Sequence, residues 1–198
     1  KDVLDGGAGN DTAVYVGTTG VTVDLAKAAR NTGDAAGDKL ISIENVIGSA
    51  GNDTLRGTAY DNRLVGGVGN DLLEGDWGVD VLEGGAGNDV LRGGAGGDRL
   101  FGGDGADRIV VDFGQDRVHG GGGEDDFLFY VGQMTIVDFT DDVDDIVIYR
   151  DAIGDADLTR AEVLDSAKIV GDDMLLYLTP GRLIRLEGVI DVTMLIDN

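Results

Sequence analysis

From Gly48 to Leu128 the chain divides into nine consecutive nonapeptides without an insertion: GSAGNDTLR, GTAYDNRLV, GGVGNDLLE, GDWGVDVLE, GGAGNDVLR, GGAGGDRLF, GGDGADRIV, VDFGQDRVH and GGGGEDDFL. The sixth position is aspartate in eight of the nine (Asp53, Asp71, Asp80, Asp89, Asp98, Asp107, Asp116 and Asp125), with Asn62 as the exception. The eighth is always apolar: Leu55, Leu64, Leu73, Leu82, Leu91, Leu100, Ile109, Val118 and Phe127. Each unit reads as a glycine-rich turn followed by a three-residue strand whose middle side chain points inward. One such unit cannot bury its single apolar residue. A parallel coil with two units per turn can, because the eighth positions of two facing walls then meet in a thin core. The period therefore predicts an all-β fold, a parallel β-solenoid with strands about 4.8 Å apart along the stack.

Composition narrows the partners. The 198 residues hold 38 acids against 15 bases, a formal charge of −23 that repels nucleic acid and anionic membranes. Glycine is 35 and proline 1, so collagen is excluded, while 42% hydrophobic content suits a folded domain. Cysteine is absent, which removes disulfides and thiolate metal sites, so an exported chain would need another staple such as metal. No apolar stretch approaches the ~20 residues of a membrane helix. The opening Lys1-Asp2-Val3-Leu4-Asp5 lies in mid-repeat with no signal-peptide pattern, so the chain is expected to be part of a longer protein.

The pattern resembles the repeats-in-toxin (RTX) family, whose nonapeptide G-G-x-G-x-D-x-U-x folds as a calcium-binding parallel β-roll. The resemblance covers residues 48–128 closely and the flanks loosely. It implies Ca²⁺ held between turns by the position-6 side chains, Asn62 included, and by loop carbonyls. The loops concerned contain Gly66, Gly67, Gly69, Gly84, Gly85, Gly87, Gly93, Gly94, Gly96, Gly102, Gly103, Gly105, Gly120, Gly121 and Gly123. The chemistry agrees, since Ca²⁺ takes about 6–8 hard oxygen ligands. With two units per turn, one wall stacks Asp53, Asp71, Asp89, Asp107 and Asp125, and the other Asn62, Asp80, Asp98 and Asp116. These columns offer about seven inter-loop sites. Without calcium the aspartates repel one another, and the array is expected to be largely unfolded.

The second wall departs from the motif. GTAYDNRLV lacks two glycines and VDFGQDRVH lacks the opening pair, so its terminal sites are expected to be weak or empty. Tyr60, Trp77 and Phe113 stand where small residues are usual; packing against the flanks is the plainer expectation, a sugar- or partner-binding face the other. On the outer face, Arg56, Glu74 and Arg92, and Arg108 beside Asp126, should form charge ladders if the register holds.

Three regions follow. Residues 1–47 hold partial repeats, with Asp11 and Asp38 as further calcium candidates and Asp24 as a solvated strand residue; residues 48–128 are the β-roll. Residues 129–198 are expected to form a β-rich cap containing one short helix, opened by the capping box Thr159-Arg160-Ala161-Glu162 and running to about Ala167, and a hairpin at Thr179-Pro180-Gly181-Arg182. The run Ile136 to Ile146 resembles the family's closing motif, with Asp142 replacing its glycine; Asp138 and Asp144 read either as calcium ligands or as a solvated turn.

Nothing points to catalysis in the chain. The single histidine, His119, reads as a surface residue, and no nucleophile elbow surrounds any serine. The resemblance implies a module of a secreted bacterial protein, exported by type I secretion machinery and folding on extracellular calcium, outside or at the surface of a Gram-negative cell. The alternatives are an adhesion or carbohydrate-binding module with a surface glycan or protein partner, and the targeting module of a polysaccharide epimerase, protease or lipase.

Overall fold

The computed structural model describes residues 1–140, 143–148, 167–170, 173–179 and 182–188. It is an all-β parallel solenoid whose only helical elements among these residues are 3-10 turns at Ala28–Arg30 and Gly33–Ala35. One wall stacks β2 (Thr12–Val14), β5 (Asn45–Ile47), β7 (Arg63–Val68), β9 (Val81–Ala86), β11 (Arg99–Asp104), β13 (Phe113–Gly122) and β15 (Gln133–Ile136). The other stacks β3 (Thr22–Asp24), β6 (Thr54–Arg56), β8 (Leu72–Trp77), β10 (Val90–Gly96), β12 (Arg108–Val111), β14 (Asp126–Phe129) and β16 (Asp145–Ile148). A separate parallel pair joins β1 (Val3–Asp5) to β4 (Lys39–Ile41).

The register is that of two units per turn. Leu64 lies against Leu82, Leu82 against Leu100 and Leu100 against Val118; Leu55, Leu73, Leu91, Ile109 and Phe127 align on the facing wall. All nine position-8 side chains are fully buried. Each buried aliphatic side chain contributes about 1.5–3 kcal/mol, but a core one residue wide per wall leaves little beyond the entropy of ordering a glycine-rich chain.

The strands are longer than a three-residue motif suggests. In β7 through β11 they continue through the first glycines of the next unit, pairing Gly67 with Gly85 and Gly85 with Gly103. Position 1 therefore belongs to the sheet, with its hydrogen pointing inward. The unit VDFGQDRVH, without the glycine pair, is straightened further. Phe113 and Gly114 of β13 still pair with Ala95 and Gly96, while Gln115 onward joins the opposite wall.

The ladders follow the register. Arg56 is ion-paired with Glu74, and Arg92, next in that ladder, reaches Asp112. Asp24 is a correction: it is buried, accepts from the Lys27 amide and is ion-paired with Arg30 at 3.0 Å. A polar loop folding back over β3 takes it out of solvent. His119 is partly exposed and stacks on Phe101, with ring centroids 5.0 Å apart.

Beyond β16 the wall that ends in β15 is extended by β19 (Arg182–Leu186), parallel to β15, then by β18 (Asp173–Thr179) and β17 (Ala167–Val170), both antiparallel. The expected hairpin is present as β18 and β19, joined between Thr179 and Arg182. Arg117 ties this part to the array through a bidentate pair with Glu187. The helix opened by Thr159 and the position of Asp142 lie outside the described residues, and Ala167 begins β17.

Candidate metal centre

The site is built by the chain's turn from one wall to the next. Position 6 precedes the inward residue, so its carboxylate is buried at the corner of the coil. Asp53, Asp71, Asp80, Asp89, Asp98, Asp107, Asp116 and Asp125 are each at most 3% exposed. On the first column each backbone amide donates to the Oδ1 of the aspartate one turn on: Asp53 to Asp71, Asp71 to Asp89, Asp89 to Asp107 and Asp107 to Asp125, at 2.7–3.0 Å. The Asp125 amide continues to Asp144 Oδ1 at 3.1 Å, which makes Asp144 the next rung. On the second column Asn62 donates to Asp80, Asp80 to Asp98 and Asp98 to Asp116.

Oδ1 is thus spent on the fold, and Oδ2 is left over. Among the described residues, the Oδ2 atoms of Asp71, Asp80, Asp89, Asp98, Asp107 and Asp125 are buried with no hydrogen-bond partner, as is that of Asp11. A buried carboxylate oxygen without a partner costs several kcal/mol if ionised, so something must compensate it. The surroundings say what. A Cβ built at Gly66 would overlap Asp71 Oδ2 and stand 2.7 Å from the Gly84 carbonyl oxygen. At Gly84 it would overlap Asp89 Oδ2 and stand 2.6 Å from the Gly102 oxygen, and Gly75 and Gly102 repeat the arrangement around Asp80 and Asp107. Position 1 is glycine because a side chain would fill the cradle where carboxylate and carbonyl oxygens converge. Position 2 is glycine for another reason: Gly85 has φ +118, which L side chains rarely adopt.

The electrostatics point the same way. Burial pushes the carboxyls of Asp71, Asp89 and Asp125 up to about 6 and those of Asp80 and Asp116 to about 7; the bonded backbone amide opposes this, and neighbouring aspartates add to it. Asp98, Asp107 and Asp144 are raised for the same first cause. Among the described residues no three His, Cys, Asp or Glu side chains converge. A cation here would be held by carboxylates one turn apart and by main-chain carbonyls. That all-oxygen set of mixed charge suits Ca²⁺ and not a metal that prefers nitrogen or sulfur.

Two position-6 residues are arranged differently. Asp53 accepts from the Val21 amide, and from both the amide and the hydroxyl of Ser49. Asn62 accepts from the Thr58 amide and hydroxyl, and its Nδ2 donates to the Glu44 carbonyl at 2.7 Å. In both units position 2 is Ser or Thr, and its hydroxyl occupies the position-6 oxygen. In the flank, Asp38 copies the array by accepting the Asp2 amide at 2.8 Å; Asp11 lies against Gly6 and the Ser42 carbonyl, where a Cβ at Gly6 would collide. Asp138 takes the amides of Gly120 and Gly121, and Asp144 that of Thr140. A Cβ added at Gly93, Gly94, Gly96, Gly103, Gly105, Gly120, Gly121 or Gly123 would collide with the adjoining turn or with its own unit's aspartate.

Tyr60, Trp77 and Phe113 are not packed under the flanks; they are 77%, 64% and 63% exposed.

The family model for the RTX calcium-binding nonapeptide repeat matches in four copies, over residues 1–13, 47–82, 74–109 and 101–129. No curated protein matches the chain. Among solved structures, the extracellular lipase LipA from Serratia marcescens is similar at 14% identity and a TM-score of 0.37, over 78% of this chain. The chain spans 40% of that protein's length.

Proposed function

Because the chain belongs to the RTX calcium-binding nonapeptide-repeat family, we propose that it is a module whose folding is driven by calcium taken up between its turns. The observation that carries this is the row of buried, partnerless Oδ2 atoms, each beside a glycine whose missing side chain leaves room for an ion. Bound Ca²⁺ supplies the positive charge the columns lack. The chain's own residues do the rest: Oδ1 fixes the spacing of turns by accepting the amide of the preceding turn, and the first glycine keeps the cradle open. We assign one ion to each partnerless Oδ2, six in the array and one at Asp11. Asp53 and Asn62 need none, because Ser49 and Thr58 satisfy them.

The setting we propose is a secreted bacterial protein. At low calcium the chain stays open enough for type I export, and at millimolar extracellular calcium it folds, with residues 129–198 closing the end of the stack. The role is binding and folding, with no reaction assigned to this chain; a parent enzyme would carry its chemistry elsewhere. Circular dichroism in chelator, followed by calcium titration with stoichiometry, tests the reading. A coil-to-β transition with about seven ions is expected. A spectrum already β-rich in chelator refutes it.

A further inference from the structure

Away from the calcium columns, the third positions of alternate units form a ladder on the outer edge of the stack that holds β8 and β10. Trp77 pairs with Ala95, and Ala95 with Phe113. The two aromatics therefore stand two strand spacings apart, ~9.6 Å, with only Ala95 and Gly94 between them. They flank a groove of about 440 Å³. Its side is formed by the loop bearing Lys27 and Arg30 and by the Arg56–Glu74 and Arg92–Asp112 pairs. Tyr60, though more exposed, does not line it.

The charges define the occupant. The groove holds four basic and four acidic side chains, Lys27, Arg30, Arg56 and Arg92 against Asp24, Glu74, Asp76 and Asp112. Three of each are ion-paired with one another. In a chain of charge −23 this is a locally neutral surface, and the net field still repels polyanions. Paired Arg and carboxylate groups offer donors and acceptors side by side, which suits hydroxyls that do both. Exposed aromatic faces suit the apolar face of a pyranose ring. Two platforms separated by an alanine step suit an extended ligand spanning both, not a compact one. We propose that this groove binds a neutral, extended, β-linked oligosaccharide, with Trp77 and Phe113 each stacking on a sugar ring.

The inference goes beyond the calcium reading and uses none of the partnerless aspartates. Trp77 is the chain's single tryptophan, so its fluorescence reports the groove directly. The protein is first shown to be β-folded in millimolar calcium, then titrated with cellohexaose and, separately, with a polyuronate hexamer. Calorimetry is run in parallel on Trp77→Ala, Phe113→Ala and Tyr60→Ala. A saturable change in Trp77 emission with cellohexaose is expected, with affinity lowered about tenfold by Trp77→Ala or Phe113→Ala and unchanged by Tyr60→Ala. Binding of the polyuronate alone overturns the neutral ligand class. No response to either sugar, or equal binding by all variants, overturns the groove as a glycan site. A chain that does not fold in calcium tells against the calcium reading instead.

Discussion

Replacing Asp71 and Asp89 together by asparagine should move the calcium-free and calcium-bound forms in opposite directions. Both side chains are buried, both give Oδ1 to the preceding turn, and both leave Oδ2 without a partner. Burial holds their carboxyls at about 6 instead of 3.8. Keeping one ionised in the metal-free fold above pH 7 therefore costs about 3 kcal/mol. Because the Asp71 charge is one of the causes that raise Asp89, the two costs overlap and the pair costs less than twice that. Asparagine retains the Oδ1 acceptor and removes the charge. Its Nδ2 would also sit where the Gly84 and Gly102 carbonyls approach, much as Asn62 donates to the Glu44 carbonyl. In chelator at pH 7.5 the variant should fold at a lower osmolyte concentration than the parent, followed by circular dichroism. At pH 4, where the parent carboxyls are protonated, that advantage should vanish. In calcium the variant should bind two fewer ions and need more calcium to reach half-folding. An unchanged osmolyte midpoint, or an unchanged ion count, would refute the assignment of these oxygens.

The raised aspartates also fix the pH dependence. Carboxyls held at about 6 to 7 mean that the metal-free fold carries more protons than the coil between pH 4 and 7, so its stability falls as pH rises through that window. Where osmolyte holds the metal-free chain folded, calcium must displace those protons: titration of that form at pH 6 should release them, seen as buffer-dependent heats, and require more calcium than at pH 7.5, whereas zero release would contradict the picture. Gly84→Ala should lower the calcium count although Gly84 has no left-handed φ, because the methyl occupies the cradle of Asp89; Gly97→Ala, where the nearest added contact is 3.4 Å from the Gln115 carbonyl, should leave it unchanged.

The architecture was legible in the sequence because one period governs it. Positions 6 and 8 alone give the two walls, the eighteen-residue register and the buried row from Leu55 to Phe127. Asp24 was misread because its burial depends on a non-repetitive loop that folds Arg30 and Asn31 back onto it, and no period encodes that. The length of the strands was also hidden. Glycine carries a weak strand preference, yet position 2 pairs in the sheet because its neighbours one turn away hold it there.

Which position-6 oxygens are open to a cation was partly legible, and the signal lies four residues upstream. Where position 2 is glycine, as at Gly67 and Gly85, nothing nearby donates to Oδ2, and the oxygens of Asp71 and Asp89 stay partnerless. Where position 2 is Ser49 or Thr58, its hydroxyl and amide close the oxygen of Asp53 or Asn62, so the first turn of the array is complete in protein groups alone. Where position 2 is aspartate, a second carboxylate enters the corner. Asp76, at φ +81 in a place made for glycine, and Asp112 each raise the carboxyl below them, and Asp80 and Asp116 are the two that reach about 7. Asp112 is partly neutralised by Arg92, whereas Asp76 has no ion pair among the described residues. The corner at Asp80 therefore carries an extra carboxylate without an ion-pair partner, with Asp61 and Asp98 adding to it. A single substitution pattern at position 2 thus grades the corners from self-sufficient to strongly cation-demanding, and places the self-sufficient ones together in the turn where the array begins.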